Sequence, residues 1–137
     1  MPDGVIRVLV ADDHPVVRGG LVALLSTLDG VEIVGAVGDG HAAVREAMLT
    51  APDVVVLDLR MPGLDGVEAT ARILADRPDV GILVLTMFDE DESVSDALAA
   101  GARGYLLKGA EAEDIERAIR AIASGAAILS PEIASRV

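Results

Sequence analysis

The feature that most constrains the fold is a five-fold alternation of short apolar runs with amphipathic segments. The apolar runs predict strands at 6–11, 31–37, 54–58, 81–86 and 104–107. Between and after them apolar residues recur at helical spacing, as in the segment from Val17 to Leu25. Strands that are apolar throughout and separated by single helices are typical of a parallel sheet covered on both faces. We therefore expect an α/β fold, with a doubly wound five-stranded parallel sheet in a three-layer sandwich.

Four of these strands end at residues that can do chemistry. Asp12 and Asp13 follow the first strand, Asp58 closes the third, Thr86 closes the fourth, and Lys108 follows the fifth. The carboxyl ends of parallel strands share one edge of the sheet, where α/β proteins build their sites. Three carboxylates, a hydroxyl and an ammonium at that edge indicate a magnesium-assisted phosphoryl site, with Asp58 as the nucleophile.

Each of these residues also has an ordinary structural interpretation. Thr86 is a common strand residue, and Lys108 alone is typical of a solvated cation. Asp13 is suited to capping the first helix, and Asp58 to a turn before the Met-Pro-Gly that follows. The joint pattern favours a site, because residues of three chemical types fall at the ends of four strands in one regular alternation.

Composition narrows the classes of function. The chain has 137 residues, enough for one domain, and 52% of them are hydrophobic. Its zero cysteines exclude disulfides and cysteine-ligated metals, and fit a reducing cytoplasm. No apolar run approaches the roughly 18 residues of a membrane span, so we expect no membrane partner. A formal net charge of −12 works against nucleic-acid binding by this chain.

Four motifs together resemble the receiver domain of bacterial two-component response regulators. They are Asp12-Asp13-His14-Pro15, the segment 54–66, Leu85-Thr86 and the segment 101–109. The closing stretch from Gly104 to Pro131 resembles the NarL/FixJ type, whose output domains are of the LuxR kind. The resemblance covers about residues 5–125 and implies a flavodoxin-like fold with strand order 2-1-3-4-5. It also implies a sensor histidine kinase as the phosphodonor.

The same resemblance implies roles for the acidic residues. Asp58 is the expected phosphoacceptor. Asp12, Asp13 and Asp58 are expected to hold Mg²⁺, joined by the backbone carbonyl of Arg60, with Asp13 binding directly and Asp12 through water.

Three further residues are expected to respond to the phosphoryl group. Thr86 and Lys108 contact its oxygens, and Thr86 with Tyr105 forms the family's switch pair. Movement of that pair reports phosphorylation to the face made by the fourth helix, fifth strand and fifth helix. The residues leave open the alternative that Tyr105 is an aromatic packed on the surface of an edge strand.

The chain departs from the family pattern at two positions. Gly109 stands where many receivers have proline, so we expect the Lys108–Gly109 peptide to be trans or to adopt a geometry that glycine alone tolerates. Met87 is large where many receivers have a small residue, and we expect it to slow phosphorylation and hydrolysis. Arg60 and Phe88 flank the pocket and are expected to tune the acyl-phosphate lifetime.

Other classes fit the sequence less well. A phosphatase resembling the haloacid dehalogenase type needs a second Asp where this chain has Arg60. A dinucleotide-binding domain needs a Gly-rich turn after the first strand, which is absent. A receiver that has lost its chemistry would not retain the complete residue set. His14 and His41 read as helix-start residues rather than as a ligand pair.

We therefore interpret residues 1–125 as a phosphorylation-controlled receiver domain that is not an enzyme beyond self-phosphorylation and autodephosphorylation. Residues 126–137 are expected to begin a linker or an extra helix, with Ser130 as its N-cap. They would lead towards a C-terminal helix-turn-helix module that binds DNA and regulates transcription. Phosphorylation is expected to promote a homodimer or to release that module.

Overall fold

In the computed structural model, which describes residues 4–87 and 91–129, a parallel sheet is covered by helices on both faces. Its strands are β1 (Ile6–Ala11), β2 (Val31–Val37), β3 (Val54–Leu57), β4 (Gly81–Thr86), β5 (Gly104–Leu107) and β6 (Ile128–Leu129). The helices are α1 (Pro15–Ser26), α2 (Gly40–Thr50), α3 (Gly66–Asp76), α4 (Asp91–Ala100) and α5 (Ala112–Ala123). The strand order is β2-β1-β3-β4-β5-β6, and every pair is parallel. The flavodoxin-like fold and the order 2-1-3-4-5 of the five predicted strands are confirmed.

The sheet extends one short strand further than the sequence indicated. Ile128 and Leu129 pair with Gly104 and Tyr105, in the segment expected to begin a linker. A two-residue strand is too short to show a hydrophobic period, so no local pattern predicts it. It satisfies main-chain groups along β5 that would otherwise form the sheet edge. The helix expected from Ser130 lies outside the described residues.

Alternate residues of each strand face two separate cores, as the pleat of a strand requires. Leu9 and Val84 belong to the core beneath α2, α3 and α4. Val10 and Leu85 belong to the core beneath α1 and α5. Both cores are almost entirely aliphatic, and each fully buried Val, Leu or Ile contributes roughly 1.5–3 kcal/mol. Within residues 4–87 and 91–129, no helix is both long and apolar enough to cross a bilayer.

The helix ends follow local chemistry. The Asp65 carboxylate caps α3 by accepting a hydrogen bond from the Glu68 N–H at 2.9 Å, as its position before Gly66 predicts. Gly101 and Gly125 follow α4 and α5 with positive φ values of 111° and 95°. At the end of α2 the same left-handed conformation falls on Ala51, with φ 47°. No described peptide bond is cis, so Lys108–Gly109 is trans.

Candidate functional site

The main chain holds the polar residues at the carboxyl edge of the sheet. The Asp12 N–H donates to the last carbonyl of β2 at 3.0 Å, and the Asp58 N–H to the last carbonyl of β1 at 3.0 Å. The Lys108 N–H donates to the Thr86 carbonyl at 2.8 Å. These bonds continue the parallel ladder by one residue beyond each strand. The sheet therefore fixes the backbone positions of these residues, and with them the points from which their side chains extend.

Lys108 lies between two buried carboxylates. Its Nζ is 3.0 Å from Asp12 Oδ2 and 3.0 Å from Asp58 Oδ2. Both carboxylates are only 2% exposed, and Lys108 is 12% exposed. Burial lowers the pKa of Lys108, but hydrogen bonds to Asp12 and Asp58 and the charges of both outweigh it, so the pKa is raised. The lysine predicted to be at this edge is thus a charged partner of Asp58 and not a solvated cation.

Asp13 completes an acidic pocket with an unsatisfied oxygen. Its Oδ1 is buried and accepts no hydrogen bond from the residues that the structure describes, although His14 Nδ1 lies 3.1 Å away. One ligand atom from each of Asp12, Asp13, His14 and Asp58 lies within 4.8 Å of the others. Three carboxylates with one ammonium leave two negative charges, which a divalent cation would neutralise. Oxygen donors of this kind suit Mg²⁺, so the residues present fit that ion.

His14 contributes more than sequence analysis predicted. It precedes α1 as the N-cap residue, which confirms the helix-start interpretation, and Asp13 is therefore not that cap. Its ring also reaches the pocket, with Nδ1 3.2 Å from Asp12 Oδ1. The signal available in the sequence was its position directly after two predicted ligands.

Arg18 is a second residue that sequence analysis missed. Its guanidinium donates to the Asp12 backbone carbonyl at 2.7 Å, so α1 is tied to the turn that carries the acidic pair. Arg18 lies four residues after His14, one helical turn along α1, which was the only sequence indication.

The loop after Asp58 is held by a close approach of α3. The Gly66 N–H donates to the Leu59 carbonyl at 2.7 Å. A Cβ atom at Gly66 would overlap the Asp58 carbonyl and lie 2.6 Å from Leu59 Cα, so only glycine fits. The Arg60 N–H lies 3.5 Å from Asp58 Oδ1, while its side chain lines a cavity of about 480 Å³ with Asp65 and residues of α4. The sequence motifs did not predict this close approach at Gly66.

Thr86 and Tyr105 lie on one face of the sheet and are both fully buried. Tyr105 pairs with Val84, and Thr86 follows Val84 by two residues, so their side chains share the face covered by α2, α3 and α4. The alternative of a surface-packed ring on an edge strand is wrong, because β6 pairs with β5 and the ring is enclosed.

The two remaining predicted residues follow β4. Met87 comes directly after Thr86 and is 69% exposed. Phe88 lies outside the described residues. The expected effect of Met87 on access to Asp58 stays a prediction.

Comparisons with known proteins agree with this arrangement. Residues 8–120 match the model of the response regulator receiver domain. The transcriptional regulatory protein LiaR of Bacillus subtilis is 44% identical over 132 residues, which are 96% of this chain and 63% of LiaR. The chain spans 61% to 63% of the length of such curated relatives.

Solved structures show the same fold. A LuxR-family two-component response regulator from Aurantimonas superposes with a TM-score of 0.90 at 37% identity, covering 96% of this chain and 94% of that one. The isolated receiver domain of RcsB from Salmonella enterica, solved with the phosphomimetic BeF₃⁻, gives 0.87 at 28% identity and covers 96% and 98%. A further structure shows RcsB bound to promoter DNA. With a family model matching most of its length and an Asp–Lys pocket at the sheet edge, the chain belongs to the receiver domains of two-component response regulators, of the NarL/FixJ type.

Proposed function

We propose that Asp58 accepts a phosphoryl group from the phosphohistidine of a sensor histidine kinase. The observation that carries this assignment is the contact of Lys108 Nζ with Asp58 Oδ2 inside a buried acidic pocket. Lys108 contacts one oxygen of Asp58. Among the residues that the structure describes, the contact given for Oδ1 is the 3.5 Å approach of the Arg60 N–H. Oδ1 is therefore the oxygen that we assign to attack.

The transfer makes and breaks one bond each. A P–O bond forms to Asp58, and the P–N bond to the kinase histidine breaks with its electron pair returning to the imidazole, which takes a proton from water. Lys108 and the Thr86 hydroxyl would each bind a phosphoryl oxygen. Self-phosphorylation from small donors and autodephosphorylation are the only reactions that we assign to the chain.

We assign the cation to Asp12, Asp13, Asp58 and the backbone carbonyl of Arg60. Bound there, Mg²⁺ would offset the negative charge that develops on the phosphoryl oxygens. The unsatisfied Asp13 Oδ1 and the two uncompensated charges of the pocket support this assignment.

We assign the switch to Thr86 and Tyr105. A phosphoryl group on Asp58 adds charge and acceptor oxygens, which would draw the Thr86 hydroxyl inward along the face shared with Tyr105. The space left by the Thr86 hydroxyl would allow the buried Tyr105 ring to move. That movement would shift an existing conformational equilibrium of the surface made by α4, β5 and α5. The expected output is a change in homodimer formation.

The whole protein is proposed to regulate transcription. LiaR carries the name of a transcriptional regulatory protein, and RcsB is known in a complex with promoter DNA. The 137-residue chain has a formal net charge of −12, so DNA contact is assigned to a helix-turn-helix module that would follow it.

Intact mass spectrometry after incubation with acetyl phosphate tests the acceptor. We expect one Mg²⁺-dependent phosphoryl adduct in the wild type and none in Asp58→Asn. In Asp13→Asn the adduct should require a higher Mg²⁺ concentration. An adduct that persists in Asp58→Asn would refute the assignment.

The switch is tested by sedimentation with Mg²⁺ and BeF₃⁻. Thr86→Ala is expected to weaken the dimer induced by BeF₃⁻. Thr50→Ala is the matched control, because its hydroxyl bonds within α2, to the Glu46 carbonyl. Equal dimerisation in all three proteins would refute a role of Thr86.

A further inference from the structure

The ring of His14 faces three carboxylates at once. Nδ1 lies 3.2 Å from Asp12 Oδ1, 3.1 Å from Asp13 Oδ1 and 4.0 Å from Asp58 Oδ2. Expected ligands of the cation therefore surround one imidazole nitrogen. No role assigned above uses that nitrogen.

Two basic side chains divide the oxygens of this pocket. Lys108 engages the Oδ2 atoms of Asp12 and Asp58, at 3.0 Å each. His14 faces the Oδ1 atoms of Asp12 and Asp13, and the Asp13 oxygen accepts no hydrogen bond. The side of the pocket away from Lys108 thus combines an unsatisfied carboxylate oxygen with an imidazole nitrogen.

The backbone of His14 is held in place before any ion arrives. Its N–H donates to Asp12 Oδ1 at 2.9 Å. Pro15 follows it and disfavours helical backbone at His14, which is extended with φ −92° and ψ 110°. With its backbone held in this way, His14 needs only a side-chain adjustment to bind an ion, so little backbone ordering opposes coordination.

We propose that His14 Nδ1 is an additional ligand of the divalent cation, so that the pocket prefers a borderline ion such as Co²⁺ over Mg²⁺. Imidazole nitrogen suits the later transition-metal ions, whereas Mg²⁺ prefers oxygen donors and retains its waters. The nitrogen binds through the lone pair of a neutral ring, whose proton is then on Nε2. This inference rests on the cation site assigned under the proposed function.

The chain offers a matched control, because His14 and His41 are its only histidines. His41 lies in the first turn of α2, beside Gly63, and has no place in the acidic group. Both side chains are exposed, so His14→Ala and His41→Ala should both fold. Circular dichroism of each variant verifies this before any metal is added.

The direct test is pulsed electron paramagnetic resonance of bound Mn²⁺, which detects the ¹⁴N nucleus of a coordinated imidazole. We expect ¹⁴N modulation in the wild type and in His41→Ala, and its loss in His14→Ala. Titration calorimetry with CoCl₂ and MgCl₂ measures the preference. His14→Ala should lower Co²⁺ affinity at least about tenfold and Mg²⁺ affinity less than about threefold.

The possible outcomes distinguish this inference from the proposed function on which it rests. Mn²⁺ binding without ¹⁴N modulation, or modulation that survives in His14→Ala, would overturn the role of His14 while the acceptor assignment stands. Failure of the wild type to bind Mg²⁺, Mn²⁺ or Co²⁺ would overturn both the cation site and this inference. An equal loss of Co²⁺ and Mg²⁺ affinity in His14→Ala would overturn the stated preference.

Discussion

Lys108 and Asp58 are 50 residues apart in the chain, yet Lys108 Nζ lies 3.0 Å from Asp58 Oδ2. The same ammonium lies 3.0 Å from Asp12 Oδ2, so one cation bridges the ends of β1 and β3 from the end of β5. A buried carboxylate without a partner is costly, so this bridge stabilises the metal-free fold.

Removal of this bridge should lower stability and raise Mg²⁺ affinity. In Lys108→Met without metal, the free energy of unfolding is expected to fall by about 1–3 kcal/mol, because two buried carboxylates lose their charged partner. Mg²⁺ should bind more tightly, since a fixed positive charge has gone, while phosphorylation slows. Urea unfolding in a chelator and calorimetry with MgCl₂ measure both effects. Weaker Mg²⁺ binding in Lys108→Met would contradict this account.

Lys108 is the only lysine of the chain, so its titration can be followed by NMR of lysine-labelled protein. We expect its pKa to lie above the ordinary value, and to fall in Asp58→Asn. The stabilisation from a raised pKa is fully present below the pKa of the unfolded chain, about 10.4, and is lost as pH rises through the folded value. The stability difference between wild type and Lys108→Met should therefore shrink at high pH. A constant difference would show that the ammonium charge is not its source.

Met87→Ala tests whether this exposed side chain limits access to Asp58. We expect faster phosphorylation by acetyl phosphate and faster hydrolysis of the acyl phosphate, because a smaller residue admits donor and water more readily. Both rates follow from the phosphorylated fraction in timed intact-mass measurements. The hypothesis fails if neither rate changes.

Gly66→Ala should disturb the loop after Asp58 from a residue that packs against the Asp58 backbone rather than its carboxylate. The added methyl group would overlap the Asp58 carbonyl, so we expect a loss of about 1–3 kcal/mol in unfolding free energy and slower phosphorylation. Gly109→Ala is the control, since a Cβ there meets no atom within 4 Å. Equal stability of the two variants in urea would contradict the predicted overlap.

Ala51→Gly should stabilise the fold. Ala51 ends α2 with φ 47°, a left-handed conformation that glycine adopts without penalty. The expected gain is about 0.5–1 kcal/mol in urea unfolding. Ala71→Gly, in the exposed interior of α3, should instead lose about 1 kcal/mol. A loss of stability in both variants would show that the strain at Ala51 is negligible.

Local sequence patterns were sufficient for much of the fold. The runs 6–11, 31–37, 81–86 and 104–107 have the bounds of β1, β2, β4 and β5, because burial on both faces leaves continuous apolar stretches. The Asp65 cap of α3 was readable for a similar reason, since a cap involves residues within one turn. β6 could not be predicted, because a two-residue strand shows no hydrophobic period and forms only through its pairing with β5.

The sequence alone therefore determined which residues stand at the carboxyl edge of the sheet, because the positions where strands end follow hydrophobic patterns along the chain. Only the tertiary structure decided how those residues share their charges. It placed the Lys108 ammonium between Asp12 and Asp58, turned the His14 ring into the acidic pocket and brought Gly66 against the Asp58 backbone. The Lys108 contacts join segments that are far apart along the chain, and they form because a parallel sheet brings the ends of its strands together.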